Sequence, residues 1–255
     1  MALIRNDGRN PLDFRPFHYS FNVLPVSMGS CRLCLGNTEI LASVKGEIGS
    51  PTTGYQSGSL HVNVNFDQAY AGRNIMYKQR ERDLESLITS SYCGTNSDSF
   101  FSSLHSTSLI IDESTVWDLY IDICVLSIDG SLEDGCFLAS RFALQNTKLP
   151  VVHLSSLNTP VLSQGSPPMT LDCSSIPLSC TLYHYQNVFI ADPLEEELDE
   201  VMGSVVCVGV EKGGLSMIQK RGSSSFGVDS FCDLVVLGTR VITDLFNTCN
   251  DSMSS

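Results

Sequence analysis

Several features that would assign a protein class at once are missing from this sequence. No apolar run approaches the length needed to cross a bilayer, and the first residues, MALIRNDGRNPLD, lack the apolar stretch of a signal peptide. We therefore expect no membrane partner. Basic residues are also scarce, because 15 Lys and Arg stand against 28 Asp and Glu and the formal net charge is −13. That charge argues against a free-standing nucleic-acid-binding protein.

Signatures of disulfides and metal sites are weak, although the chain has ten cysteines. They are scattered, and a chain of 255 residues that is 42% hydrophobic can bury a full core without disulfides. Cys31 and Cys34 form a Cys-x-x-Cys pair inside a predicted strand, where side chains three apart point to opposite faces. No second Cys/His pair accompanies them. We expect reduced thiols, no metal and no cofactor.

The charge is unevenly distributed along the chain. Residues 1–82 hold nine Lys and Arg against six Asp and Glu, giving +3, whereas residues 83–255 hold six against twenty-two, giving −16. Two interpretations stay open: the N-terminal part faces a phosphate-bearing partner, or its arginines are structural and the acidic remainder is a solvated surface. The basic residues concerned include Arg5, Arg9, Arg15, Arg73, Lys78, Arg80 and Arg82.

Hydrophobic periodicity predicts alternating strands and helices in the first half. Leu33 and Leu35 lead into a Gly36-Asn37 turn, and Ile40, Ala42 and Val44 lead out of it, which predicts a hairpin. Elsewhere the pattern predicts strands over Ser57–Phe66 and Trp117–Leu126, a helix over about Arg80–Tyr92 and a loop over Asn96–His105. Ser131-x-x-Asp134 resembles a capping box for a helix that carries Leu138 and Phe142 and stops at Lys148-Leu149-Pro150.

The second half repeats this arrangement after a serine- and proline-rich segment, Leu154–Pro177, which is the best candidate boundary. The pattern predicts strands over Thr181–Ile190, Ser204–Val210 and Leu215–Lys220, a turn at Gly213-Gly214, and a closing helix near Val228–Thr248. Strands followed by a long helix, twice over, predict an α+β chain with internal duplication. We divide it into a first half (1–150), a connecting segment (151–180) and a second half (181–255).

Two segments near the start, GRNPLDFRPF (Gly8–Phe17) and GSCRLCLGNTEILASVKGEIGSP (Gly29–Pro51), resemble the opening of the RNase PH family of phosphorolytic exoribonucleases and their exosome relatives. Trp117–Pro150 is similar to the central strand-turn-helix of exosome ring subunits, and Thr181–Gly222 is similar to their second half. The resemblance implies the RNase PH fold, with duplicated strand-rich sheets each followed by a long helix, around a ribosomal protein S5 domain 2-like core.

Phosphorolysis needs cations to hold phosphate and an acid to assist the leaving oxygen. In active relatives one arginine opens a helix after the third or fourth strand, and Arg80 is similar to it in position. A second arginine follows in a Gly-Gly-Thr-Arg pattern, but the stretch here is Asp129-Gly130-Ser131-Leu132-Glu133, so Glu133 replaces the implied cation. The family's acid corresponds best to Asp192, where Pro193 follows and the spacing to the next acid is altered.

The acidic stretch ADPLEEE is typical of non-catalytic ring subunits in this family. Whether Glu197 or Asp199 takes the second acidic position stays open, as does the interpretation of Glu195–Asp199 as a solvated acidic loop. Inactive archaeal ring subunits hold RNA with two arginines near the end of the helix that Arg80 opens. The corresponding stretch, Thr89–Cys93, has none. Arg80 and Arg82 are therefore the predicted residual RNA contacts.

The resemblance implies a structural, catalytically inactive subunit of the eukaryotic RNA exosome core ring. Such a subunit supports 3′-to-5′ RNA processing and degradation, including rRNA maturation and mRNA turnover, in the nucleus, nucleolus and cytoplasm. Implied partners are other RNase PH-like subunits in a hetero-hexameric ring, cap subunits with RNA-binding domains, and RNA in the channel. Two alternatives stay open: an active phosphate-dependent 3′-to-5′ exoribonuclease, against which Glu133 argues, and an RNA-independent binding module on the same fold.

Overall fold

The computed structural model describes residues 5, 7–51, 58–67, 75–93, 109–155, 160–163, 165–185, 188–198, 203–211, 214–222, 225 and 227–254. The strands are β1 (Phe17–Phe21), β2 (Gly29–Leu35), β3 (Thr38–Gly49), β4 (Leu60–Phe66), β5 (Ile110–Asp112), β6 (Thr115–Ser127), β7 (Lys148–Leu149), β8 (Val152–Leu154), β9 (Pro160–Leu162), β10 (Met169–Thr170), β11 (Leu178–Tyr185), β12 (Val188–Ala191), β13 (Gly203–Val210) and β14 (Gly214–Gly222). The helices are α1 (Ile75–Tyr92), α2 (Leu132–Gln145), α3 (Glu195–Leu198) and α4 (Val228–Ser254).

The first sheet has six strands in the order β1-β2-β3-β6-β4, with β5 paired to β6. The predicted hairpin is confirmed as β2 and β3, whose register pairs Leu35 with Thr38 across the turn. Gly36 there has a φ of 58°, which glycine adopts without strain. The alternation predicted within Trp117–Leu126 is also confirmed, because the five apolar residues of this pattern in β6 are buried. β4 runs parallel to β6 and forms one edge of the sheet.

Helix α1 packs beside β4 and closes part of this edge. Its buried residues are Leu84, Leu87, Ile88 and Tyr92. The outward-facing amide nitrogen atoms of the strand donate to acidic side chains of the helix, Val64 N to Glu85 Oε1 and Phe66 N to Glu81 Oε1, both at 3.0 Å. The helix begins at Ile75 rather than at Arg80, since the polar and charged residues 78–83 interrupt the apolar pattern that predicted it. Arg80 therefore lies in the second turn and does not open the helix.

Helix α2 lies between the two main sheets. It packs against β2 and β3 on one side and against β11 on the other, and every residue from Leu132 to Leu144 is buried. Gly135 permits the close approach to β3, because a Cβ atom there would stand 2.8 Å from Ile40 Cδ1. Two of its buried polar side chains have partners, since Ser140 Oγ bonds to Tyr92 Oη and Arg141 Nη1 donates to Ile176 O.

The capping box predicted at the start of α2 is wrong. Ser131 is the N-cap residue, but its φ is 44° and its side chain makes no capping hydrogen bond. Asp134 faces the second sheet instead, where it accepts bonds from Ser179 Oγ (2.7 Å), Thr181 N (2.9 Å) and Thr181 Oγ1 (3.0 Å). A carboxylate that joins the helix to β11 is not available to cap the helix.

The second sheet is antiparallel, with the order β12-β11-β13-β14. The strand predicted over Thr181–Ile190 is wrong as a single element, because this stretch doubles back and Leu182 pairs with Ala191. The predictions for β13 and β14 are confirmed, and the closing helix is confirmed but continues to Ser254. Gly214 has a φ of 71° at the predicted turn, whereas Gly213 lies outside the described residues.

The segment between the two main sheets contains short paired strands. β8 pairs with β9, and β10 pairs with β7. The predicted loop over Asn96–His105 lies outside the described residues. Buried residues from both halves form one hydrophobic core, which places α2 at its centre. Within the described part of the chain, no helix is both long and apolar enough to cross a membrane.

Candidate functional site

The first turn of α2 meets the last part of β14 at a partly buried ion pair. Arg221 Nη1 lies 2.6 Å from Glu133 Oε1, and Glu133 is only 6% exposed. Side chains at alternate positions of a strand point to the same side, so Gln219 and Arg221 share one face of β14. The loop before α2 places Glu133 opposite Arg221 on this face. The sequence analysis did not identify Arg221, since the only local signal was a polar pair at alternate positions. Glu133, at the position implied for a phosphate-binding cation, is therefore paired within the chain.

Arg80 belongs to the same region. Burial raises the pKa of the Tyr183 hydroxyl well above its usual value, with Glu133 and Asp134 adding to the rise and with Arg80 and Arg221 opposing it. Two carboxylates and two guanidinium groups thus act on one buried hydroxyl. Beside this group, a cleft of about 310 Å³ lies between α1 and β14. Its lining residues are Asp83, Ser86, Leu87, Ser90, Met217, Gln219 and Arg221.

The loop that precedes α2 binds a second carboxylate, that of Glu195 in α3. Gly130 N donates to Glu195 Oε2 at 3.2 Å, and Thr38 Oγ1 donates to Gly130 O at 2.9 Å. Gly130 has a φ of 77°, and a Cβ atom on it would collide with the Pro193 backbone. A backbone N–H near a helix N-terminus is suited to binding an anion. Here it binds an anion of the chain itself.

Asp192, the implied family acid, lies in a buried cluster with two arginines. Arg15 donates to it from its backbone N at 2.6 Å and from Nη2 at 2.8 Å, and Arg9 Nη1 lies 2.8 Å from Oδ2. The Asp192 side chain is fully buried and its φ is 46°. Arg15 Nη1 also donates to Asp129 O at 2.7 Å, which connects the cluster to the loop before α2. Both oxygens of the implied acid thus accept hydrogen bonds from arginines of the chain.

Arg5 makes the equivalent contact with α3. Its Nη2 lies 2.6 Å from Glu197 Oε2, and its Nε donates to Oε1 at 3.0 Å. The solvated-loop interpretation is wrong for Glu197, which is 3% exposed, because the guanidinium follows it into the interior. Asp199 lies outside the described residues. Arg5, Arg9 and Arg15 are structural arginines, so the interpretation that directed these three charges toward a phosphate-bearing partner is wrong.

The predicted RNA contacts lie on α1, where Arg80 is half-buried and Arg82 is exposed. Neither forms an ion pair among the described residues. The neighbouring carboxylates of Glu81 and Glu85 bind the β4 backbone, and Asp83 accepts a bond from Gln79 Nε2 at 2.9 Å. The role of both arginines in RNA binding stays a prediction.

The cysteines do not form a site in the described part of the chain. All ten are free, and no group of three or more His, Cys, Asp or Glu that could hold a metal occurs among the described residues. Burial, with a smaller contribution from Cys34, raises the pKa of the Cys31 thiol to about 12. This thiol therefore stays protonated at neutral pH and is a poor nucleophile.

The chain resembles known proteins over nearly its whole length. It is 26% identical over 252 residues to the exosome complex component Rrp42 of Methanothermobacter thermautotrophicus, covering 98% of this chain and 91% of the relative. The Rrp42 component of Sulfurisphaera tokodaii is 30% identical over 204 residues, with 76% and 70% covered. An RRP42 protein of Dictyostelium discoideum, whose name includes exosome complex exonuclease, is 26% identical over 318 residues, with 97% and 93% covered.

Two solved structures share the fold. The Archaeoglobus fulgidus exosome with RNA bound to the active site contains a chain with a TM-score of 0.74 and 24% identity, and the superposition covers 96% of this chain and 92% of that one. A chain of an archaeal exosome core gives a TM-score of 0.71 at 24% identity, with 94% and 89% covered. Residues 13–150, more than half of the sequence, match the 3′ exoribonuclease family, domain 1. The chain therefore belongs to the RNase PH family of 3′ exoribonucleases and has its fold.

Proposed function

We propose that the chain is a structural, catalytically inactive subunit of an exosome core ring that supports 3′-to-5′ RNA processing and degradation. Relatives named as Rrp42 exosome components align with almost the entire chain, which supports a role in the same kind of complex. The observation that carries the inactivity is the Glu133–Arg221 ion pair at 2.6 Å. Glu133 places a carboxylate where the family resemblance implies a phosphate-binding cation, and it neutralises Arg221.

Three carboxylates oppose catalysis at this site for different reasons. Glu133 repels an incoming phosphate, and the repulsion is strong in a poorly solvated environment. Glu195 occupies the Gly130 amide, which would otherwise be free to bind an anion. Asp192 accepts bonds from Arg9 and Arg15 on both oxygens, so neither oxygen is free to exchange a proton with a leaving group. An active phosphate-dependent exoribonuclease is the second candidate, favoured by the name of the Dictyostelium relative.

A phosphorolysis assay separates the two candidates. The purified chain should release no nucleoside diphosphate from single-stranded RNA in phosphate buffer, and Glu133→Arg alone should not restore release, because Asp192 and Glu195 remain engaged. The same assay on a ring assembled with a catalytic-type subunit should show activity that does not change when this chain carries Glu195→Gln. Phosphate-dependent shortening by the isolated chain, above a control without protein, would contradict the proposed inactivity.

A ring subunit should also depend on its neighbours. We expect other RNase PH-like subunits, cap subunits with RNA-binding domains and RNA in the channel to be its partners. Adding a catalytic-type ring subunit should raise the melting temperature through linkage, because the partner binds only the folded chain. A monodisperse monomer whose melting ignores every ring subunit would favour the RNA-independent binding module. Localisation to nucleus, nucleolus and cytoplasm is part of the proposal and is tested by imaging a tagged chain.

A further inference from the structure

The two carboxylate oxygens of Glu133 have unequal surroundings. Oε1 accepts a hydrogen bond from Arg221 Nη1 at 2.6 Å. Oε2 is buried and has no hydrogen-bond partner among the described residues. A buried charged oxygen without a donor is costly, so the group is retained at some expense of stability. This arrangement needs a physical reason beyond packing.

The surroundings of Glu133 supply that reason, because they are those of an anion site. Arg221 contacts Glu133 from β14. Arg80 on α1 lies close enough to act electrostatically, with Arg221 and Glu133, on the Tyr183 hydroxyl. Glu133 and Arg80 also act, with opposite signs, on the buried Cys136 one turn further along α2. Without the carboxylate, the partly buried Arg221 guanidinium would lose its counter-charge, with the positive charge of Arg80 also nearby. Positive charge of this kind attracts a small anion.

We propose that Glu133 is an internal anion that fills a site at the Arg221 guanidinium, and that the chain binds a phosphate group there once this carboxylate is removed. This inference deepens the proposed function and rests on it, because it describes how the site is kept from binding phosphate. The carboxylate occupies the place of the ligand as a covalently attached competitor. Its effective concentration greatly exceeds that of free phosphate, so the wild-type site stays occupied.

The cleft between α1 and β14 provides access to this site. It has a volume of about 310 Å³, and Arg221 lies in its wall with the hydroxyl-bearing residues Ser86 and Ser90. Asp83 also lies in the wall and opposes an anion. We therefore expect binding of modest strength in the Glu133 variant, and stronger binding when Asp83→Asn is added.

The test measures binding of inorganic phosphate to the full chain at constant ionic strength, with chloride as the matched salt. Glu133→Ala should bind phosphate at least about tenfold more tightly than the wild type, seen by calorimetry and by a saturable rise in melting temperature. Glu133→Gln keeps the side-chain volume and serves as the second variant in case alanine disturbs folding. It should also raise the affinity for phosphate. Adding Arg221→Ala to either variant should abolish the gain, and adding Arg80→Ala should reduce it.

Glu39→Ala is the matched control. Glu39 Oε1 also accepts a bond from an arginine at 2.6 Å, from Arg32 Nε, but on an exposed surface. This variant should show no gain. A second titration with a short oligoribonucleotide in place of inorganic phosphate separates free phosphate from RNA phosphate as the favoured source.

The inference is overturned if neither Glu133 variant gains phosphate affinity over the wild type, or if the gain survives Arg221→Ala. That result leaves the proposed inactivity standing, since inactivity is measured by nucleoside diphosphate release. Conversely, phosphorolysis by the wild-type chain would contradict the proposed function and would also contradict the inference that Glu133 occupies the site. The two failures are therefore distinguishable.

Discussion

Arg15 and Asp192 lie 177 positions apart and are joined by both backbone and side-chain hydrogen bonds. The amide of Arg15 donates to Oδ2 and its guanidinium donates to Oδ1, so the position of the N-terminal segment is fixed relative to the second half. The same carboxylate holds Arg9. Since Asp192 has a left-handed backbone, the cluster also stabilises a conformation that non-glycine residues rarely adopt. The arginines of the GR and RPF motifs thus connect the N-terminal segment to the second half through Asp192.

Breaking this cluster should strongly destabilise the fold. Arg15→Ala removes the main partner of a fully buried carboxylate, and we expect the free energy of unfolding to fall by about 3–5 kcal/mol. Urea unfolding followed by circular dichroism measures it. Arg32→Ala is the control, because the Arg32–Glu39 pair has similar geometry but lies on the surface, so its loss should cost about 1 kcal/mol or less. Equal losses of unfolding free energy in the two variants would contradict a structural role for the Arg9–Arg15–Asp192 cluster.

The edge of the first sheet offers a second test. Glu81 and Glu85 accept hydrogen bonds from the amides of Phe66 and Val64, and such bonds to a charged group contribute about 1.5–3 kcal/mol each. Glu81→Ala with Glu85→Ala should lower the free energy of unfolding by more than either change alone. It should also increase aggregation, measured by light scattering, since the edge amides become available to another strand. Asp83→Ala on the same helix should do neither.

Local elements of this fold could be predicted from the sequence. The β2–β3 hairpin follows from alternation around Gly36, and the buried face of α1 follows from the spacing of Leu84, Leu87 and Ile88. The start of α1 was not predicted in this way, because the stretch between Tyr77, which packs against Phe66, and Leu84 holds only polar and charged residues. The division between β11 and β12 was also not predicted. Apolar residues occur in both strands of this hairpin, and the pattern predicted a single strand.

The site depends on long-range pairings that leave no local pattern. Glu133 and Arg221 are 88 positions apart, and Arg5 and Glu197 are 192 apart. A sequence shows that Glu133 is a carboxylate where the family resemblance implies a cation, but it does not show that an arginine on another sheet neutralises it. The same limit explains the error at Ser131, where Asp134 matched a capping pattern while its real partners lay on β11.

Asp134 should make stability depend on pH. Burial raises the pKa of this carboxyl to about 7 from a usual value of 3.8, although hydrogen bonds from Thr181 and Ser179 oppose the rise. The folded state then holds a proton that the unfolded state has released, so this contribution to stability is present below pH 4 and is lost as pH rises toward 7. Unfolding experiments across this range should show a wild-type free energy that falls with pH relative to Asp134→Asn. A parallel pH dependence of the two proteins would contradict a raised pKa.

Arg82 on α1 is the best remaining candidate for contact with RNA. Arg82 is exposed and forms no ion pair among the described residues, whereas Arg80 is half-buried and acts on Tyr183 beside Glu133. If Arg82 binds a phosphate of RNA in the channel, Arg82→Ala should lower the slope of log affinity against log salt by about one unit. The measurement uses the assembled ring, and Arg80→Ala should have the smaller effect.

Arg240→Ala is the control for this experiment, because Arg240 is also an exposed arginine, on α4, and its ion pair with Asp244 is long at 3.9 Å and therefore weak. Losing a surface charge that does not contact RNA should leave the salt slope unchanged, since counterions are released only where a cation meets the nucleic-acid backbone. An unchanged slope in a ring that carries both Arg80→Ala and Arg82→Ala would mean that α1 makes no phosphate contact. This subunit would then act on RNA only by holding its neighbours in the ring.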